Sequence, residues 1–95
     1  MISIEGSTLR VTAPMVIANA RELLAQGQDA LAATPGLTRV DLSAVTEADS
    51  SALTLLFAWL RRAQTQGRQL DIVAPPAGLL SLAELYGISD LLPLA

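Results

Sequence analysis

Val40-Asp41-Leu42-Ser43-Ala44-Val45-Thr46-Glu47-Ala48-Asp49-Ser50-Ser51-Ala52-Leu53 reads as strand, loop and helix start in fourteen residues. Leu37 to Leu42 forms a short strand and Ser43 to Asp49 a loop. Ser50 to Gln66 is the clearest helix of the chain, with Leu53, Leu56, Phe57 and Leu60 recurring at i, i+3, i+4 and i+7. Gly67 stands just past its end, where a left-handed cap is expected. Asp49, Ser50 and Ser51 fall where a helix start leaves backbone N–H groups without partners. Their side-chain oxygens accept from such donors, and Asp49 also complements the positive end of the helix dipole.

The same alternation of periods continues outward. Ile2, Ile4, Leu9, Val11 and Ala13 alternate with polar residues on either side of Gly6-Ser7, which predicts a β-hairpin with one buried face. Pro14 is expected in the first turn of a helix that carries Val16, Ala20, Leu23, Leu24, Ala30 and Leu31 at helical spacing. Gly27 lies on the inward face of that helix, where it permits close approach of a neighbour, and Pro35-Gly36 ends it. Leu70 to Val73 is a further strand, broken by Pro75-Pro76. Ala77 to Tyr86 is a helix closed by Gly87; Pro76 and the Ser81/Glu84 pair are alternative start signals. Ser89 to Leu92 makes a last helical turn before Pro93. The order β-β-α-β-α-β-α plus a terminal helical turn predicts an α/β domain with a four-stranded mixed β-sheet: a hairpin, then crossovers that require parallel pairing.

The chain has 95 residues, so one domain over 1–95 is expected; two would need roughly 200 residues. It contains no cysteine and no histidine. That removes thiolate nucleophiles, the commonest general base and the usual metal ligands, and with them most hydrolase and metalloenzyme chemistry. No phosphate-binding glycine loop, dinucleotide fingerprint or nucleophile elbow is present. No catalytic residue, cofactor or metal is therefore expected. Asp41, Glu47 and Asp49 form an acidic group without a metal-loop pattern. A net charge of −3, with Arg61-Arg62 as the sole adjacent basic pair, gives no electrostatic footprint for nucleic acid. The N-terminus lacks the basic and apolar regions of a signal peptide. The longest apolar stretch, Ala52 to Leu60, falls well short of the roughly 20 residues that span a bilayer. A soluble cytoplasmic protein with no membrane insertion is expected.

Three features carry two readings each. Asp49, Ser50 and Ser51 are either plain capping residues or the frame of a regulated hydroxyl at Ser50, where a phosphate would gain from the helix dipole and suffer from Asp49. Leu55 and Trp59, one turn apart on another side of the helix from the main stripe, are either core or a partner-binding patch. Tyr86 either fills the core or reaches solvent.

The run V-D-L-S-x-V-T-x-x-D-S-S-A-L, Val40 to Leu53, resembles the signature of the STAS domain (sulfate transporter and anti-sigma factor antagonist), and the likeness extends over essentially the whole chain. Within that family, Ala58-Trp59-Leu60-Arg61-Arg62-Ala63 and Leu82-Ala83-Glu84-Leu85-Tyr86-Gly87-Ile88 look like the small MlaB-type subunits of Mla phospholipid-transport ABC systems, which maintain outer-membrane lipid asymmetry. The resemblance implies a non-enzymatic accessory subunit, peripheral to the inner membrane, that binds an ABC transporter ATPase subunit and supports its assembly and activity. The alternative it implies is an anti-sigma factor antagonist whose binding to an anti-sigma factor kinase is switched by serine phosphorylation. Either way it marks Ser50, the hydroxyl residue after Asp49, as the functional position, and Asp49, Ser50, Ser51, Leu55 and Trp59 as candidate partner-binding residues. Two positions depart from the family pattern: Ala52 and Ala13 stand where glycine is common.

Overall fold

Period-two and period-3.6 stretches alternate along the chain, and each forms the element its period requires. The computed structural model describes residues 1–95. It contains β1 (Ile2–Glu5), β2 (Thr8–Val11), α1 (Ile17–Ala33), β3 (Arg39–Asp41), α2 (Ser50–Thr65), β4 (Asp71–Val73), α3 (Ala77–Leu85) and a 3-10 turn at Ser89–Leu91. The sheet order is β1-β2-β3-β4. β1 and β2 pair antiparallel through the Gly6-Ser7 turn, while β2–β3 and β3–β4 pair parallel. The mixed sheet and the element order are those expected from the sequence.

Register sorts the side chains. Leu9, Val40 and Ile72 lie in line across three strands and are buried, as is Val11. The neighbouring positions Arg10, Arg39, Asp41 and Asp71 belong to the opposite, polar face. The apolar face joins Leu23 and Leu31 of α1, Leu56 and Trp59 of α2, and Leu79 and Ala83 of α3 in one core of twenty buried residues, none of them polar. The outer edge of β4 is covered by the chain's last residues: the Ile72 amide donates to the Pro93 carbonyl and the Ala95 amide to that of Ile72.

One local expectation is corrected. α1 begins at Ile17, with Val16 extended before it, rather than at Pro14. The cause is tertiary: Met15 is fully buried and forms a parallel bridge with Ala48, so the chain must stay extended past Pro14. Of the two start signals for α3, Pro76 is the one used: the helix runs Ala77–Leu85 without a side-chain cap, and Ser81 lies inside it.

Gly27 and Trp59 join α1 to α2. Gly27 is buried, and a Cβ built there would overlap the Trp59 indole. The ring lies against the bare backbone of α1, with its N–H 3.4 Å from the Leu24 carbonyl oxygen. Gly27→Ala should therefore destabilise the domain. Alanine improves helix propensity by about 1 kcal/mol, but overpacking a rigid ring costs about 1–3 kcal/mol. Chemical denaturation checks this: a lowered midpoint is expected, and Gly27→Ala combined with Trp59→Leu should lose less than the sum of the single changes.

Candidate functional site

The loops that follow β2 and β3 run side by side. The Met15 amide donates to the Glu47 carbonyl at 3.0 Å, and the Asp49 amide donates to the Met15 carbonyl at 3.1 Å. This bridge places the starts of α1 and α2 together. Asp49 then closes the junction, because its Oδ1 accepts from the Ser51 amide at 2.8 Å and its Oδ2 from the Ile17 amide at 3.0 Å. One carboxylate thus satisfies an orphan donor of each helix. Hydrogen bonds from Ser51, its side chain foremost, and from the Ile17 amide hold the Asp49 carboxyl below the usual carboxylate range. Asp41, at the end of β3, is held low as well, first by the Ser43 amide, which donates to its Oδ1 at 2.8 Å.

With Asp49 as the cap, Ser50 is the first residue of α2 and stands exposed, while Ser51 is half-buried beside it. Sequence reasoning placed these three residues together, and so does the structure. It separates them from Leu55 and Trp59 as surface groups. Trp59 is fully buried, and Leu55, 2% exposed, lies at the floor of a groove. The interface reading of these two side chains is therefore corrected. α2 is packed against the sheet, α1 and α3 at once, so its buried arc is wider than a single stripe: Ala52, Leu53, Leu55, Leu56, Trp59 and Ala63 all point inward. Phe57 and Leu60, expected in the core stripe, are half-buried at its margin. The acidic group is also dispersed: no three His, Cys, Asp or Glu side chains converge to hold a metal ion.

The groove, of about 810 Å³, runs from the helix starts along α2, with α1 on one side and the segment after α3 on the other. Ser50 and Thr54 face it from α2, Ile17 and Leu24 from α1, and Tyr86 from beyond α3. Ile17 is 75% exposed and Tyr86 55%. The ring of Tyr86 thus belongs to the surface rather than the core. Arg21 also lines this groove; the sequence analysis did not single it out, because the spacing within α1 does not show which neighbour that side of the helix meets. A concave apolar surface edged by hydroxyls suits a protein segment that brings its own apolar side chains.

The double cap has a pH signature. The folded-state pKa of Asp49 is depressed from an ordinary value of about 3.9, so its stabilisation is complete above about pH 4 and is lost as the pH falls through the folded-state value. Replacing Asp49 by Asn should lower the denaturation midpoint at neutral pH and flatten its decline as the pH falls below about 5. Asp49→Ala should be the less stable variant, because it leaves the Ile17 and Ser51 amides without acceptors. Urea titrations across that range check both expectations.

No curated protein sequence matches the chain. Among solved structures, a candidate anti-sigma factor antagonist from Thermotoga maritima superposes with a TM-score of 0.79 at 18% identity, covering 99% of this chain and 83% of that one. The anti-sigma factor antagonist SpoIIAA in its unphosphorylated form gives 0.64 at 12% identity, over 90% and 81% of the two chains. The Bacillus cell fate determinant SpoIIAA in its phosphorylated form gives 0.67 at 13% identity, over 100% and 89%. At these identities the likeness is one of fold. The family model described as "Mlab, STAS domain" matches residues 2–93, nearly the whole chain, and this chain belongs to the STAS domain family.

Proposed function

We propose that the protein is a non-enzymatic accessory subunit that binds the cytoplasmic ATPase of an Mla-type ABC phospholipid transporter and supports its assembly and activity. The observation that carries this reading is the placement of Ser50: an exposed hydroxyl at the head of an apolar groove, on a helix start locked to its neighbour by Asp49. The description of the matching family model supports the subfamily. A binding module acts through differential affinity: contacts made with one conformation of the ATPase and not another shift it toward that conformation. Asp49, Ser50 and Ser51 form the tip of the docking face. Thr54 extends it along α2. The chain brings no histidine or cysteine for catalysis. No helix is long and apolar enough to cross a membrane, so the subunit would reach the inner membrane through its partner.

The fold neighbours support a second reading. Two are described as anti-sigma factor antagonists, and SpoIIAA is known in a phosphorylated form. In this reading a phosphate on Ser50 adds about −1.5 to −2 charges next to Asp49 and breaks the docking of an anti-sigma factor kinase.

Affinity purification of the tagged protein from its own cells, with Ser50→Glu alongside, separates the two. The transporter reading predicts recovery of an ABC ATPase with its permease by the unmodified protein and loss of both by Ser50→Glu, whose fold and melting temperature stay intact. Recovery of an anti-sigma kinase, with a phosphate adduct on Ser50 by intact mass, would replace it with the second reading.

A further inference from the structure

Arg21 is the one charged residue among the thirteen that line the Ser50 groove; the others are apolar or carry hydroxyls. It is exposed, and its own helix offers it no acid: the residues three and four positions away are Ala18, Leu24, Ile17 and Ala25. The acid nearest the helix starts, Asp49, has both oxygens engaged by backbone amides. Arg10 lies opposite Asp41 and Arg39 opposite Asp71 in the sheet register, and Arg68 donates to the Thr34 carbonyl at the end of α1. In a chain of net charge −3, the groove is thus a local site of positive charge with no internal counter-ion.

We propose that Arg21 selects the partner at this groove: the occupant is a helical segment of the partner protein that carries a carboxylate beside its apolar ridge, the carboxylate meeting Arg21 and the ridge lying over Leu24, Thr54 and Ala58. This rests on the reading of the groove as a docking face and adds its charge specificity. The dimensions fit. Ile17 to Leu24 of α1 and Ser50 to Ala58 of α2 each present about two helical turns, enough to seat two turns of a third helix along α2, between α1 and Tyr86. The apolar lining displaces water from around the guanidinium, which strengthens an ion pair there relative to one on open surface. A basic residue at the same place would meet Arg21 unscreened and be rejected, so the residue acts against wrong partners as well as for the right one.

The test uses two helix-forming peptides of about 15 residues, leucine and alanine on one face and glutamine on the other. They differ at one position on the edge of the apolar face, which is glutamate in one and lysine in the other. Each is titrated into 15N-labelled protein, wild type, Arg21→Ala and Arg21→Lys, at low and high salt. The glutamate peptide should bind wild type about tenfold more tightly than the lysine peptide, shift the amides of Leu24, Thr54 and Ala58, and lose its advantage in high salt. Arg21→Lys should keep most of the preference and Arg21→Ala should abolish it. Equal binding of the two peptides, or a preference unchanged in Arg21→Ala, would overturn the assignment. It would do so independently of the Ser50→Glu purification, whose failure would instead remove the docking face itself.

Discussion

A single carboxylate joins two helix starts at one end of this domain. A helix start leaves backbone donors that must find acceptors, and here two helix starts share one. Asp49 accepts from the Ser51 amide of α2 with one oxygen and from the Ile17 amide of α1 with the other. Two consequences follow. The helices begin at a common point, which fixes where α1 stands beside the groove that runs along α2. Because the cap is Asp49, the hydroxyl of Ser50 is not consumed in capping and is displayed at the first position of the helix. Had Ser50 been the cap, its oxygen would be turned back onto the backbone. Of Asp49-Ser50-Ser51, the first residue caps the helix and the second is left exposed.

The rest of the fold serves that arrangement. The parallel bridge of Met15 to Ala48 brings the two loops together before the carboxylate closes them. Farther along the same helices, Trp59 lies on Gly27, so the α1–α2 spacing is set at two points, by a hydrogen-bonded tip and by a ring against bare backbone. Beneath them the sheet keeps an apolar face for the helices and a polar face outward, with arginine and aspartate in register across neighbouring strands. The groove differs from that face: Arg21 is its one charged residue, and it keeps large apolar side chains at the surface.

Much of this was legible in the sequence because the signals are local. The strand, loop and helix of Val40 to Leu53, the Gly6-Ser7 turn, the stop at Pro35-Gly36 and the inward Gly27 follow from period, turn chemistry and caps. What was not legible depends on neighbours distant in sequence. Pro14 has the chemistry of a first helical turn, yet Met15 is drawn into a bridge with a loop more than thirty residues away, and α1 starts later. Leu55 and Trp59 look like a second surface when α2 is considered as an amphipathic rod. They are core because α1 and α3 flank the helix as well as the sheet below it. Ala74 takes a φ of +53° just before Pro75-Pro76, a left-handed position that nothing in its identity announces. Arg21 is one more exposed arginine until packing places it in the groove that Ser50 heads.

The most direct test of the account is site-specific photocross-linking in the protein's own cells, with a benzophenone amino acid placed at Thr54 in the groove or at Arg39 on the polar face of the sheet. Both positions are exposed, so either can react with whatever covers it. The account predicts an adduct with an ABC ATPase from Thr54 and none from Arg39. An adduct from Arg39 alone would contradict it, since the partner would then dock on the sheet and the tip held by Asp49 would be a structural feature only.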